Sequence, residues 1–70
     1  MQVIKITANG LDLEVPYGTT VKGLLDIMEE TVRPDMIVEI NRKFIHIKEY
    51  GVTTVKEGDK LEVIRLDIGG

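Results

Sequence analysis

Residues 3–15 read Val3-Ile4-Lys5-Ile6-Thr7-Ala8-Asn9-Gly10-Leu11-Asp12-Leu13-Glu14-Val15, two β-rich runs joined by Asn-Gly. Asn and Gly both tolerate positive φ, so the dipeptide predicts a type I′ hairpin turn. The second run alternates apolar and polar residues, which places Leu11, Leu13 and Val15 on one face. Ile4, Ile6 and Ala8 face the same core from the first strand. A one-sided hairpin needs a cover, and the next stretch provides one. Pro16-Tyr17-Gly18 breaks the strand, and Thr19 or Thr20 caps a helix through its hydroxyl. Val21, Leu24, Leu25 and Met28 then form one apolar helical stripe, with Lys22, Asp26, Glu29 and Glu30 on the wet side. Pro34 is expected to end the helix, because proline disfavours helical geometry in the residue before it. Gly23 costs the helix up to about 1 kcal/mol relative to Ala. A close approach of helix to sheet is its expected reason.

Downstream, Met36 to Ile40 reads as a third strand and Phe44 to Ile47 as a short fourth one carrying His46. Tyr50 to Val55 reads as an irregular crossing, Glu57-Gly58-Asp59 as a turn, and Lys60 to Leu66 as the last strand. Hairpin, helix, then strands predicts an α+β fold, with one main helix across one face of a mixed sheet of four to five strands. Seventy residues make one small domain, which hides only about 60% of the surface its unfolded chain exposes. Residues 1–67 are assigned to the domain and 68–70 to a flexible tail.

Composition removes several functions. The chain is 43% hydrophobic, which argues against disorder, and it has no cysteine. A disulfide framework, a thiolate zinc site and a cysteine nucleophile are therefore out. Serine is absent and histidine occurs once, at His46, so neither a serine nucleophile nor a two-histidine relay exists. His46 is expected on a strand, with its ring at the surface or in one hydrogen bond. Glu29 and Glu30 are adjacent, so on a helix they diverge. Glu49, Glu57 and Asp59 sit near turns without a calcium-loop ladder. The net charge is −3 and the lysines are scattered, which disfavours a nucleic-acid partner. No apolar stretch approaches a membrane span, and the first residues lack a secretory pattern. No catalytic and no metal site is expected, and the simplest location is the cytoplasm.

The terminus is what remains. The chain ends Arg65-Leu66-Asp67-Ile68-Gly69-Gly70. Two glycines after a strand serve no packing purpose and cost the most entropy to order. They make a thin segment that threads a narrow channel where a Cβ would clash. At its tip is an unhindered carboxylate, which another protein can activate, for example as an acyl-adenylate.

The whole chain resembles the ubiquitin-like β-grasp sulfur carriers, the ThiS/MoaD-like family. The landmarks are the opening strand with Asn9-Gly10, then Tyr17-Gly18-Thr19-Thr20-Val21 with Leu24-Leu25. Val38-Glu39-Ile40-Asn41 precedes a turn, Glu49-Tyr50 follows, and Glu57-Gly58-Asp59-Lys60-Leu61-Glu62-Val63 leads to Gly69-Gly70. The thiamine-pathway branch is the nearer one. The molybdopterin-pathway branch commonly carries an aromatic- and proline-containing segment before its tail, which is missing here. Two departures stand out: Asn41-Arg42-Lys43 replaces a frequent Asn-Gly, and the terminal glycine run is short.

The resemblance implies a carrier, not an enzyme, with no bound cofactor. An adenylating partner (ThiF/MoeB-like) uses ATP to activate the Gly70 carboxylate, while Gly69 and Ile68 thread that partner's channel. A persulfide donor supplies sulfur, and the resulting thiocarboxylate is delivered to an acceptor, a ThiG-like thiazole synthase in the thiamine pathway. Molybdopterin or tRNA-thiolation sulfur transfer, a ubiquitin-like protein modifier and a non-covalent binding module remain as alternatives. Alternation adds a partner surface. Ile37, Phe44, Ile64 and Leu66 fall opposite the core-facing residues of their strands. They are expected to gather on the open sheet face as an exposed apolar patch, the kind that marks a protein interface.

Overall fold

The computed structural model describes residues 2–66. Its elements are β1 (Val3–Ala8), β2 (Leu11–Pro16), α1 (Val21–Ile27), β3 (Met36–Ile40), β4 (Lys43–Ile45), a 3₁₀ turn (Ile47–Glu49) and β5 (Lys60–Arg65). The strands form one sheet in the order β2-β1-β5-β3-β4. β1 and β5 run parallel, and every other neighbouring pair is antiparallel. This is the expected α+β arrangement, a ubiquitin-like β-grasp with five strands and one helix.

Both hairpin turns are two residues long, and both hold left-handed backbone. Asn9 and Gly10 have φ of 51° and 81°, as a type I′ turn requires. Asn41 and Arg42, between β3 and β4, have φ of 53° and 70°. Each asparagine also stitches β5 into the sheet. The Asn9 N–H donates to the Leu61 carbonyl at 2.9 Å, and its Oδ1 accepts from the Val63 N–H at 2.9 Å. On the other flank, Asn41 Oδ1 accepts from the Lys60 N–H at 2.9 Å, and Asn41 Nδ2 donates to Asp59 at 3.0 Å. Asp59 in turn accepts the Lys56 N–H at 2.8 Å, closing the turn before β5.

Thr20 caps α1, accepting the Gly23 N–H at 3.0 Å. The Val21 and Lys22 N–H groups, which have no intrahelical partner, donate to the Thr53 and Tyr50 carbonyls at 2.8 Å. The irregular crossing therefore closes the start of the helix. The helix does not continue to Pro34: it ends at Ile27, with Met28 as C-cap. Glu29 turns left-handed at φ 60°, its N–H reaching the Asp26 carbonyl, and the Glu30 N–H reaches that of Leu25. That is a Schellman closure, here with Glu where Gly is usual. Gly23 also departs from expectation. A Cβ there would meet Thr20 Oγ1 at 3.4 Å and Thr19 Cγ2 at 3.5 Å, atoms of the cap rather than of the sheet.

The core lies between α1 and one sheet face. Val15, Val21, Leu24, Leu25, Val38 and Leu61 are fully buried in it, flanked by Ile4, Ile6, Ala8, Met36 and Ile40. Tyr50 and Val55 of the crossing complete it. Leu11 does not join: it is 70% exposed, and Leu13 only packs against the core's edge. A helix of seven residues spans about 10 Å and leaves the hairpin end of the outer strand uncovered. β4 is shorter than expected and stops at Ile45. His46 therefore lies beyond the strand, exposed, and caps the 3₁₀ turn by accepting the Lys48 N–H at Nδ1, 3.4 Å away.

Candidate functional site

Because α1 covers one face, the residues that alternate with the core ones in β3, β4 and β5 line the other. Their register is set by the strand pairs. Ile37 stands opposite Ile64, and Glu39 stands opposite Glu62 on one side and Phe44 on the other. The β3–β5 register is continuous from Met36↔Arg65 to Ile40↔Leu61, so no bulge turns Ile64 inward. Leu66 follows two residues after Ile64 and shares its face by alternation. Phe44 is 60% exposed, Leu66 43% and Ile64 38%, while Ile37 is half-buried. The Phe44 ring meets His46 edge-on, with centroids 5.9 Å apart. A shallow groove lined by Val32, Pro34, Ile37, Phe44 and Ile47 continues the apolar surface past the end of β4. The four residues expected on the open face are thus all there.

The chain leaves this face at a fixed point. The Leu66 N–H donates to the Asp35 carbonyl at 2.7 Å. The Asp35 carboxylate accepts two hydrogen bonds from the Arg33 guanidinium, at 3.0 and 3.3 Å. That pairing lowers the Asp35 pKa below the ordinary value, with burial acting in the opposite sense. Arg65 pairs with Glu30 just past the helix end. Sequence reading did not find these anchors. Arg33-Pro34-Asp35 carries a local charge signal, but nothing in the sequence links positions 30 and 65.

Gly70, Gly69 and Ile68, the residues expected to carry the chemistry and thread a partner, lie outside the described residues. The boundary drawn between 67 and 68 lies there too. Two of the turn carboxylates are structural: Glu57 accepts the Lys5 N–H at 3.0 Å, and Asp59 closes its own turn. Burial raises the Tyr50 phenol. Among the described residues, no group of three or more His, Asp or Glu is placed to hold a metal ion, and no helix is long and apolar enough to cross a membrane.

The model of the ThiS family matches residues 2–70, a span that includes both terminal glycines. No curated protein matches. Among solved structures, the crystal structure of thiamine biosynthesis protein ThiS from Geobacter metallireducens is similar to this chain, at 28% sequence identity and a TM-score of 0.81. The match covers 96% of this chain and 100% of that one.

Proposed function

This chain belongs to the ThiS family, and from that premise we propose that it carries sulfur for thiamine biosynthesis on its C-terminal glycine. It is a carrier and not an enzyme. An adenylating partner uses ATP to convert the Gly70 carboxylate to an acyl-adenylate, releasing pyrophosphate. The terminal sulfur of a cysteine persulfide attacks the acyl carbon, and AMP leaves. A thiol then takes the other half of the acyl disulfide and frees the Gly70 thiocarboxylate. That group is a softer nucleophile than a carboxylate and stays ionised at neutral pH, so it can deliver sulfur to a thiazole-forming acceptor. Gly69 and Ile68 thread the partner's channel, and Ile37, Phe44, Ile64 and Leu66 dock the partner.

The observation that carries this reading is the family match, because it runs through Gly69 and Gly70 and not only through the domain. The anchored Leu66 supports it: its N–H is held by the Asp35 carbonyl beside the apolar face, so a partner docked on that face meets the chain four residues before Gly70. The chain also contains no cysteine or serine. The chemistry described asks for neither.

The test is intact mass after incubation with ATP, an adenylating enzyme and a persulfide donor. The expected product has one oxygen of Gly70 exchanged for sulfur. Oxidation of Met1, Met28 or Met36 mimics that shift nominally, so it is mapped by fragmentation and checked by thiol-directed alkylation. Deleting Gly69 and Gly70 abolishes the product. An AMP adduct that becomes joined to lysine amines instead of sulfur would make the chain a protein modifier. Activity retained without the two glycines would make it a binding module.

A further inference from the structure

The open face is not uniformly apolar. Its middle row, across β4, β3 and β5, is Phe44, Glu39 and Glu62. Two carboxylates directly opposite one another on one sheet face repel and destabilise the pair of strands. Neither forms an ion pair among the described residues. The ion pairs among the described residues are Lys22–Asp26, Arg33–Asp35 and Arg65–Glu30. Arg42 and Lys60 line a shallow groove with Glu62 without pairing to it. The next row holds Ile37 and Ile64. Repelling carboxylates therefore stand between apolar side chains, on a face that α1 leaves bare.

Charge decides what covers such a face. A second copy of this chain stacked on it brings carboxylates against carboxylates. A nucleic acid or an anionic bilayer brings phosphates against them. A protein surface with apolar side chains around a cation meets every group on the face. Arginine suits the position best, because its planar fork bonds two carboxylates at once and is less strongly hydrated than lysine. Apolar contacts around it exclude water and strengthen the attraction.

Resting on the carrier reading above, we propose that the adenylating enzyme docks on this face and inserts an arginine between Glu39 and Glu62. Its apolar neighbours meet Ile37, Phe44 and Ile64. The carboxylate pair is then a specificity element: it weakens the free domain and is relieved only in the correct complex.

The test uses the full chain and the adenylating enzyme that charges Gly70 in the mass assay. Glu39→Gln, Glu62→Gln and the double variant are titrated into that enzyme by calorimetry at low and high salt, and melted alone. The double variant is expected to melt a few degrees higher than the parent and to bind at least about tenfold more weakly, with a smaller salt dependence. Glu62→Gln alone, at an exposed position, is expected to move melting temperature and affinity in the same directions by less. Normal charging with unchanged affinity overturns this inference alone. A lowered melting temperature in the Gln variants also overturns it, because the carboxylates would then be supporting the fold. If no adenylating enzyme charges Gly70, the carrier reading falls and this inference falls with it.

Discussion

The two faces of the sheet are written in the same strands, one residue apart, and they follow different rules. In β3, Val38 is fully buried while Ile37 and Glu39 on either side are half-buried. In β5, Leu61 is 1% exposed, and Glu62 next to it lies on the surface. Among the described residues the covered face buries no charged side chain, and Tyr50 brings the one phenol. The open face mixes Ile37, Phe44 and Ile64 with two opposed carboxylates. A surface optimised for folding alone has no use for that mixture. The difference teaches that apolar residues in one strand can serve two ends: those facing α1 hold the domain together, and those facing away are available to a partner.

The sharpest way to break this comparison is to damage each face separately. Leu24→Ala, on the covered side, is expected to cost about 2–5 kcal/mol. A domain of this size has only ~3–5 kcal/mol in reserve, so the variant is mostly unfolded in thermal or urea denaturation. Phe44→Glu with Leu66→Glu, on the open side, is expected to leave stability within about 1 kcal/mol. The same change weakens the adenylating-enzyme complex by about 2 kcal/mol or more, roughly thirtyfold. If the open-face pair unfolds the domain, or leaves binding intact, the division of labour between the faces is wrong.

The same division explains what was legible in advance. Alternation identified Ile4, Ile6, Ala8, Val15, Val38 and Leu61 as core, because a half-buried strand has a strict period of two. It also located all four open-face residues. Alternation does not report how far a cover reaches, so Leu11 read as buried when the short helix leaves it bare. Pro34 was a visible helix stop. The true stop at Met28–Glu29 depends on backbone φ in a residue with no turn signature. His46 read as strand because its neighbours are apolar, yet its own ring nitrogen caps the 3₁₀ turn. Tyr50 and Val55 enter the core from an aperiodic segment, where pattern gives no warning. The asparagine and aspartate bonds that stitch β5 in place span 18 to 54 residues, beyond any local signal.

A middle-sized effect tests whether those stitches serve the fold or the open face. Asn41→Ala removes the acceptor for the Lys60 N–H and the donor to Asp59. It also puts alanine in left-handed backbone. The expected loss is about 1–2 kcal/mol, from the two bonds and the φ penalty. Because Asn41 sits at the end of β3 that continues to Glu39, the variant should also loosen the Glu39–Glu62 register. Hydrogen exchange of β5 amides measures that. Unchanged protection at Lys60 to Val63 would mean that the β3–β5 ladder alone sets the register.

A smaller change sharpens the comparison from the other side. Glu29 closes the helix at φ 60°, and Gly adopts that conformation without a Cβ penalty. Glu29→Gly is expected to raise stability by about 0.5–1 kcal/mol. The position lies past the helix and away from the open face, so affinity for the adenylating enzyme should not move. A gain in stability with a change in affinity would show that the two faces are coupled through the helix end.

The smallest effect sits where the chain leaves the open face. Asp35 holds Leu66 through its carbonyl and Arg33 through its carboxylate. The hydrogen bond from Arg33 lowers the carboxyl's pKa in the folded state, against a smaller upward push from burial. A group whose folded value is depressed adds stability above its unfolded value and loses it as pH falls through the folded one. Asp35 should therefore help the fold at neutral pH and stop helping below the usual carboxylate range. The pair is largely exposed, so salt screens it and the contribution is small. Melting curves of the parent and Asp35→Asn, taken from neutral pH into that acid range at low salt, measure it. The two should differ at neutral pH and converge in acid, and high salt should shrink the difference. Parallel curves would mean that the carboxylate contributes nothing here, leaving the Leu66 N–H bond to the Asp35 carbonyl as what holds Leu66 beside the patch.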